Sequence, residues 1–215
     1  VREDGTVDAL LNVMDACSIE KAVAFATFSN FLGPGDEEPN QALAKRIRNE
    51  DRLKGFGVID FSREDLEDQV EAIYQLGFPG IKLHPAFQHF RIDGEKAFRV
   101  YAAAQKRDLF LTFHTGIHWH RISDYNVLLF DEVAYHFKNL RFSMEHVGGY
   151  CFFLDAVAVM QNNQKDPPRI YAGLTSVFDK ESNRFWYQDD QRIRDLLWQT
   201  GEEASIFGLD FPYNN

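Results

Sequence analysis

The sequence predicts an α/β protein built as a (β/α)8 barrel, and three observations carry that prediction. Short apolar or β-branched runs alternate with longer stretches of helical period, the mark of repeated βα units. Residues suited to chemistry recur at the C-terminal ends of four of those runs, at His84, His114, His146 and Asp210. A closed barrel gathers such ends around one mouth, whereas an open doubly wound sheet exposes its crevice mainly at a switch point. Finally, seven strands and seven helices can be traced, one strand short of closure.

Leu10, Val13, Met14 and Cys17 fall at spacings of three and four, predicting a first helix from about Thr6 to Cys17. Lys21 to Thr27 follows, and its VAFA core reads as a strand covered on both faces. Gly33-Pro34-Gly35 is a turn signal within the segment from Asn30 to Asn40, and a helix carrying Leu43 and Ile47 leads to a strand from Leu53 to Asp60. Ser62 with Asp65 three residues later predicts a capping box for a helix presenting Leu66, Val70, Ile73 and Tyr74. Gly77 and Pro79 stop that helix, and Gly80 to His84 forms the third strand. Asp93 is expected to cap a helix with Ala97, Phe98, Tyr101 and Ala102 facing inward, ahead of a strand from Leu109 to Thr115. The phrase then recurs three times. A helix near Asp124 to Phe137 precedes strand Leu140 to His146, one from Phe152 to Asn162 precedes Ile170 to Ser176, and one around Gln191 to Trp198 precedes Ser205 to Asp210. The chain opens on a helix and ends just after a strand. The expectation is therefore one barrel domain over residues 1–215, lacking its first strand and terminal helix.

Composition narrows the function classes. The 215 residues, 45% hydrophobic, suffice for one substantial core. With 23 basic and 33 acidic residues the net charge is -10, which argues against a nucleic-acid surface. Cys17 and Cys151 form neither a disulfide scaffold nor a CxxC knuckle. No apolar run reaches the ~18 residues of a membrane span. The charged start VREDGTVD is no secretory signal. The expectation is a cytoplasmic protein acting on a small molecule, with nothing opposed to a homodimer.

His114 sits at the exit of LFLTFHTG and His146 at the equivalent place in LRFSMEHVGG, where Gly148 and Gly149 allow a sharp turn. A neutral imidazole at either position can ligate a zinc-class ion or act as a general base. Glu145, adjacent to His146, is expected to point the other way by the period-two rule. Asp210 in FGLDFPY can ligate a cation, orient a water or accept its proton. Lys82 and His84 in GIKLHP share one side of their strand. A buried Lys82 needs an anionic partner, which a substrate carboxylate or an acidic side chain would supply. His118, Trp119 and His120 lie in the loop after His114 and are candidates to line a substrate pocket. The sequence contains no GxSxG elbow, GxxxxGK[ST] phosphate loop, GxGxxG turn or HExxH zinc helix.

Together GIKLHP, LTFHTG, FSMEHVGG and FGLDFPY resemble the amidohydrolase-related family, the branch of the metal-dependent amidohydrolase superfamily that also contains nonoxidative decarboxylases. The resemblance covers nearly the whole chain. It implies a closed barrel, one divalent metal ion, and hydrolysis of an amide, ester or lactone, or a decarboxylation. It also implies roles: His114 as a metal ligand, His146 as a residue that orients or deprotonates water or joins the metal, and Asp210 as acidic ligand and proton-transfer group. Zinc is the expected ion, with manganese as the alternative. The family's His-x-His pair on the first strand has no match here, so a noncatalytic barrel serving as a binding protein stands as the third reading.

Overall fold

The computed structural model describes residues 5–33 and 35–213. The charged start at 1–4, Pro34 of the proline-glycine turn, and Asn214 and Asn215 lie outside them. Seven strands, β1 (Ala22–Phe25), β2 (Leu53–Gly57), β3 (Gly80–Leu83), β4 (Phe110–His114), β5 (Phe142–Glu145), β6 (Ile170–Thr175) and β7 (Ser205–Gly208), pair in parallel in sequence order. Helix α1 (Val7–Ala16) precedes β1. Between successive strands lie α2 (Pro39–Ile47), α3 (Leu66–Gln75), α4 (Glu95–Lys106), α5 (Leu129–His136), α6 (Gly149–Asn162) and α7 (Asp190–Thr200). Strand order that never reverses is the winding of a (β/α)8 barrel and not of a doubly wound sheet.

Register sorts the side chains. Paired residues of a parallel ladder share a face, and residues two apart along a strand share it too. Phe56 pairs with Gly80 and Gly80 with Phe110. Lys82 pairs with Thr112, which pairs with Ser143, and His114 pairs with Glu145, which pairs with Gly173. These residues line the concave interior. The alternate set, including Ile81, Leu83, Leu111, Phe113, Phe142 and Met144, is fully buried and belongs to the hydrophobic core that also takes residues from all seven helices. Phe113 meets Phe130 of α5 with ring centroids 4.8 Å apart, and Tyr101 of α4 at 5.6 Å edge-on, geometries that favour aromatic pairs beyond their buried area.

Several sequence expectations are corrected. Strand β1 is not covered on both faces: Val23 and Phe25 are each 45% exposed, because β1 has a strand neighbour on one side alone among the described residues. The capping box at Ser62 does not form. Ser62 donates its N–H and hydroxyl to Asp60, and Asp65 is taken by Arg63 and Gln69. Gly94 and not Asp93 is the cap residue of α4, since Asp93 pairs with Arg91. Ala102 faces solvent, and the inward stripe of α4 runs through Ala97, Val100, Tyr101 and Ala104. The helix expected from Asp124 is a short 3-10 turn, Ile122–Tyr125, followed by α5 proper.

Candidate active site

The strand ends bring the predicted residues to one mouth. The imidazoles of His84 and His114 stack with centroids 4.0 Å apart at 10°. His114 meets His146 at 4.7 Å and 67°. His118 lies 6.1 Å from His114, and His120 lies 5.7 Å from His84. Of the seven histidines in the sequence, these five and His89, whose ring is 6.4 Å from His120, form one continuous group. Ligand atoms of His84, His114 and His118 fall within 4.8 Å of one another.

Backbone carbonyls hold two of these rings. Nε2 of His114 donates to the Gly116 carbonyl at 2.8 Å, and Nδ1 of His146 donates to the Thr175 carbonyl at 2.7 Å. A carbonyl can only accept, so each anchored nitrogen carries the proton and the other keeps its lone pair. Burial first, then neighbouring positive groups, holds the imidazoles neutral. His84 is pushed down to about 2, His146 to about 3 and His114 well below its usual value. The Thr175 carbonyl opposes the fall at His146.

The turn after β5 explains the placement of His146. His146 and Val147 have φ of 63° and 46°, and Gly148 and Gly149 have φ of 74° and 64°. This left-handed run ends the strand alternation at Glu145. Both Glu145 and His146 therefore reach the interior, which corrects the expectation that Glu145 turns away. Its carboxylate accepts from Ser143 Oγ at 2.7 Å and Thr175 Oγ1 at 2.6 Å. Gly173 makes room for it, since a Cβ there would come within 2.4 Å of that carboxylate. Thr115 braces the turn by donating to the Glu145 carbonyl and accepting from the Gly148 N–H.

Lys82 is buried at the level below the histidines, with Nζ 5.0 Å from the Phe25 ring centroid. Burial lowers its pKa, opposed by the charges of Glu145 and Asp210. Asp210 has φ of 60° and hydrogen-bonds Ser176. Burial raises its carboxyl pKa, opposed chiefly by Lys82. A carboxyl group that burial makes harder to ionise suits proton transfer. Trp119 borders the cluster at His118. It is 81% exposed at the rim, with its ring 5.6 Å from Phe185 and 6.0 Å from His118.

Sequence reasoning missed Trp186 and Tyr125. Trp186 stacks on His146 at 4.0 Å and 22° while its Nε1 donates to the Ile117 carbonyl at 3.0 Å. Gly116 admits that indole, since a Cβ there would lie 2.6 Å from it. Tyr125 Oη accepts from the His118 N–H at 2.9 Å and donates to its carbonyl at 2.7 Å. Neither residue lies in a strand-end motif that would flag it.

A family model described as Amidohydrolase matches residues 3–215. The chain belongs to the amidohydrolase family. Solved structures share the fold. An uncharacterized TIM-barrel protein from Bordetella bronchiseptica is 18% identical with a TM-score of 0.77, over 97% of this chain and 71% of that one. A 5-carboxyvanillate decarboxylase from Novosphingobium aromaticivorans, complexed with manganese and 4-hydroxy-3-methoxy-5-nitrobenzoic acid, is 17% identical with a TM-score of 0.69, over 95% of this chain and 70% of that one. A protein from Pseudomonas putida named as a 2-pyrone-4,6-dicarboxylic acid hydrolase is 15% identical with a TM-score of 0.67, over 97% of this chain and 73% of that one. No curated protein matches the sequence. No helix among the described residues is long and apolar enough to cross a membrane.

Proposed function

We propose that this chain carries out metal-dependent hydrolysis of a small-molecule amide, ester or lactone. The observation that carries the reading is the pair His114 and His146, two neutral rings tied by opposite nitrogens to backbone carbonyls. That is the outer-shell pattern of metal-ligating histidine, and the two rings are neighbours, 4.7 Å apart and inclined at 67°. His114 and Asp210, joined by His146, are the residues that would hold the ion, zinc by the chemistry of imidazole and carboxylate donors, with manganese the alternative. A divalent ion there supplies Lewis acidity toward a carbonyl and toward water. The Asp210 carboxylate takes the proton of the attacking water and returns it to the leaving group; His146 Nε2, whose one lone pair serves a single role, does so where the ion rests on His114 and Asp210 without it. Lys82, His84 and the loop of His118, Trp119 and His120 bind and orient the substrate, with Lys82 charge-matched to a carboxylate on it.

Nonoxidative decarboxylation is the second reading, favoured by the fold shared with a decarboxylase complexed with manganese. There the same groups would place a proton on carbon as carbon dioxide leaves. The two separate in isotopic water. Hydrolysis incorporates one solvent 18O into the product carboxyl group, whereas decarboxylation releases carbon dioxide and incorporates solvent deuterium at carbon. A panel of lactones, esters, amides and aromatic acids, assayed with zinc and then manganese, decides between them. Lack of turnover together with lack of tight metal uptake by folded protein would replace both with a binding protein.

A further inference from the structure

Proximity alone makes His84, His114 and His118 a three-imidazole metal site. Two geometric facts remove His84 from it. An imidazole donates its lone pair in the ring plane, to zinc at about 2.0–2.1 Å. The rings of His84 and His114 are nearly parallel, 10° apart, with centroids 4.0 Å apart. Planes so disposed have no common point within reach of both nitrogens. An ion seated on the lone pair of His114 therefore lies well out of the plane of His84.

The second fact is the partner of Nδ1. The Phe87 backbone N–H donates to His84 Nδ1 at 3.2 Å. A backbone N–H can only donate, so Nδ1 is the bare nitrogen and the proton of the neutral ring sits on Nε2. A protonated nitrogen has no lone pair for a metal. This is the reverse of His114 and His146, whose backbone partners are carbonyls that can only accept. The loop is built to keep it so. Gln88 Oε1 accepts from the His84 N–H at 2.6 Å, its Nε2 donates to the Ile59 carbonyl at 2.7 Å, and its backbone N–H donates to the His84 carbonyl at 2.8 Å. No acceptor for the His84 Nε2–H is found among the described residues, and the ring's neighbours at the mouth are His114, His120 and Tyr125.

We propose that His84 is a substrate-binding hydrogen-bond donor, not a metal ligand: its Nε2–H holds a substrate oxygen, carbonyl or carboxylate, at the mouth beside His114. The proposal rests on the reading that the mouth is the reaction site, and it assigns the donor that the stacked pair contributes there.

The test uses the chain labelled with 15N in its histidines, followed by long-range proton–nitrogen spectra with and without one equivalent of zinc, with His84→Gln to assign the signal. The expected result is an Nε2–H tautomer for His84 in both states and the opposite, Nδ1–H, for His146. Zinc affinity in His84→Gln and His84→Leu stays within about twofold of the parent, while His114→Asn weakens it by about tenfold or more. Acetate, as the carboxylate probe, shifts the His84 Nε2–H signal. An Nδ1–H tautomer at His84, a tenfold loss of zinc in folded His84→Gln, or an Nε2–H signal indifferent to acetate would overturn the proposal. A parent chain that takes up no zinc would instead defeat the hydrolase reading, with the tautomer and acetate results still deciding the role of His84.

Discussion

Strands β3 to β6 and the outer strands β1 and β7 are built from similar residues and end in different environments. Every residue of β3 and β5 is buried, whereas β1 leaves Val23 and Phe25 exposed and β7 leaves Phe207 62% exposed. The difference is neighbours. A strand paired on both sides and overlaid by helices buries both faces, while a strand paired on one side keeps an open edge and the apolar surface beside it. An apolar run of four or five residues therefore states only what a strand can bury, not what it does bury.

The sharpest way to break this comparison is pH. In the metal-free protein His84 and His146 titrate at about 2 and about 3 when folded, below the ordinary histidine value. The unfolded chain binds more protons below pH ~6.5, so the stability from keeping these rings neutral is complete above that pH and is lost as pH falls toward the folded values. Each ring contributes on the order of 3 kcal/mol of loss by pH 4. Thermal melts should drop by at least ~10 °C between pH 7 and pH 4. A flat profile in that window would show that the mouth is wetter than its burial implies.

Next in size is Phe142→Ala. This ring has no exposed surface and meets Phe113 and Phe130, so urea denaturation should show a loss of about 3–5 kcal/mol. Phe207→Ala on the open edge should stay within about 0.5 kcal/mol, and equal losses would end the comparison. Gly173→Ala should cost about 1–3 kcal/mol, because its Cβ would press on the Glu145 carboxylate and disturb the hydroxyls that hold it. The smallest effect is on association. Phe207→Lys should leave stability nearly unchanged and reduce concentration-dependent light scattering, since an edge lysine blocks strand-to-strand pairing.

The wind of the barrel was legible because alternation and strand-end chemistry are local signals. LFLTFH announced β4 and its histidine, and the positions of His84, His146 and Asp210 followed from the same reasoning. Competition between short-range partners was not legible. Asp65 had Arg63 and Gln69 within reach, and the capping box lost to them. Glu145 faces inward against the period-two expectation because that rule holds only while the strand lasts, and the left-handed His146 ends it. Trp186 was silent because its stacking partner is forty positions away, and a ring's tautomer depends on which backbone group the fold supplies.

Four consecutive residues with positive φ, from His146 to Gly149, hold an imidazole whose far side is pressed by Trp186 and whose Nδ1 is tied to Thr175. The ring is thus immobilised before any ligand arrives. The loss of rotamer freedom falls on folding, and a ligand that meets His146 has little further ordering to impose. Calorimetry of ligand binding should accordingly find a small entropic penalty from the protein, and the rigidity that makes this possible is concentrated in one short stretch of chain.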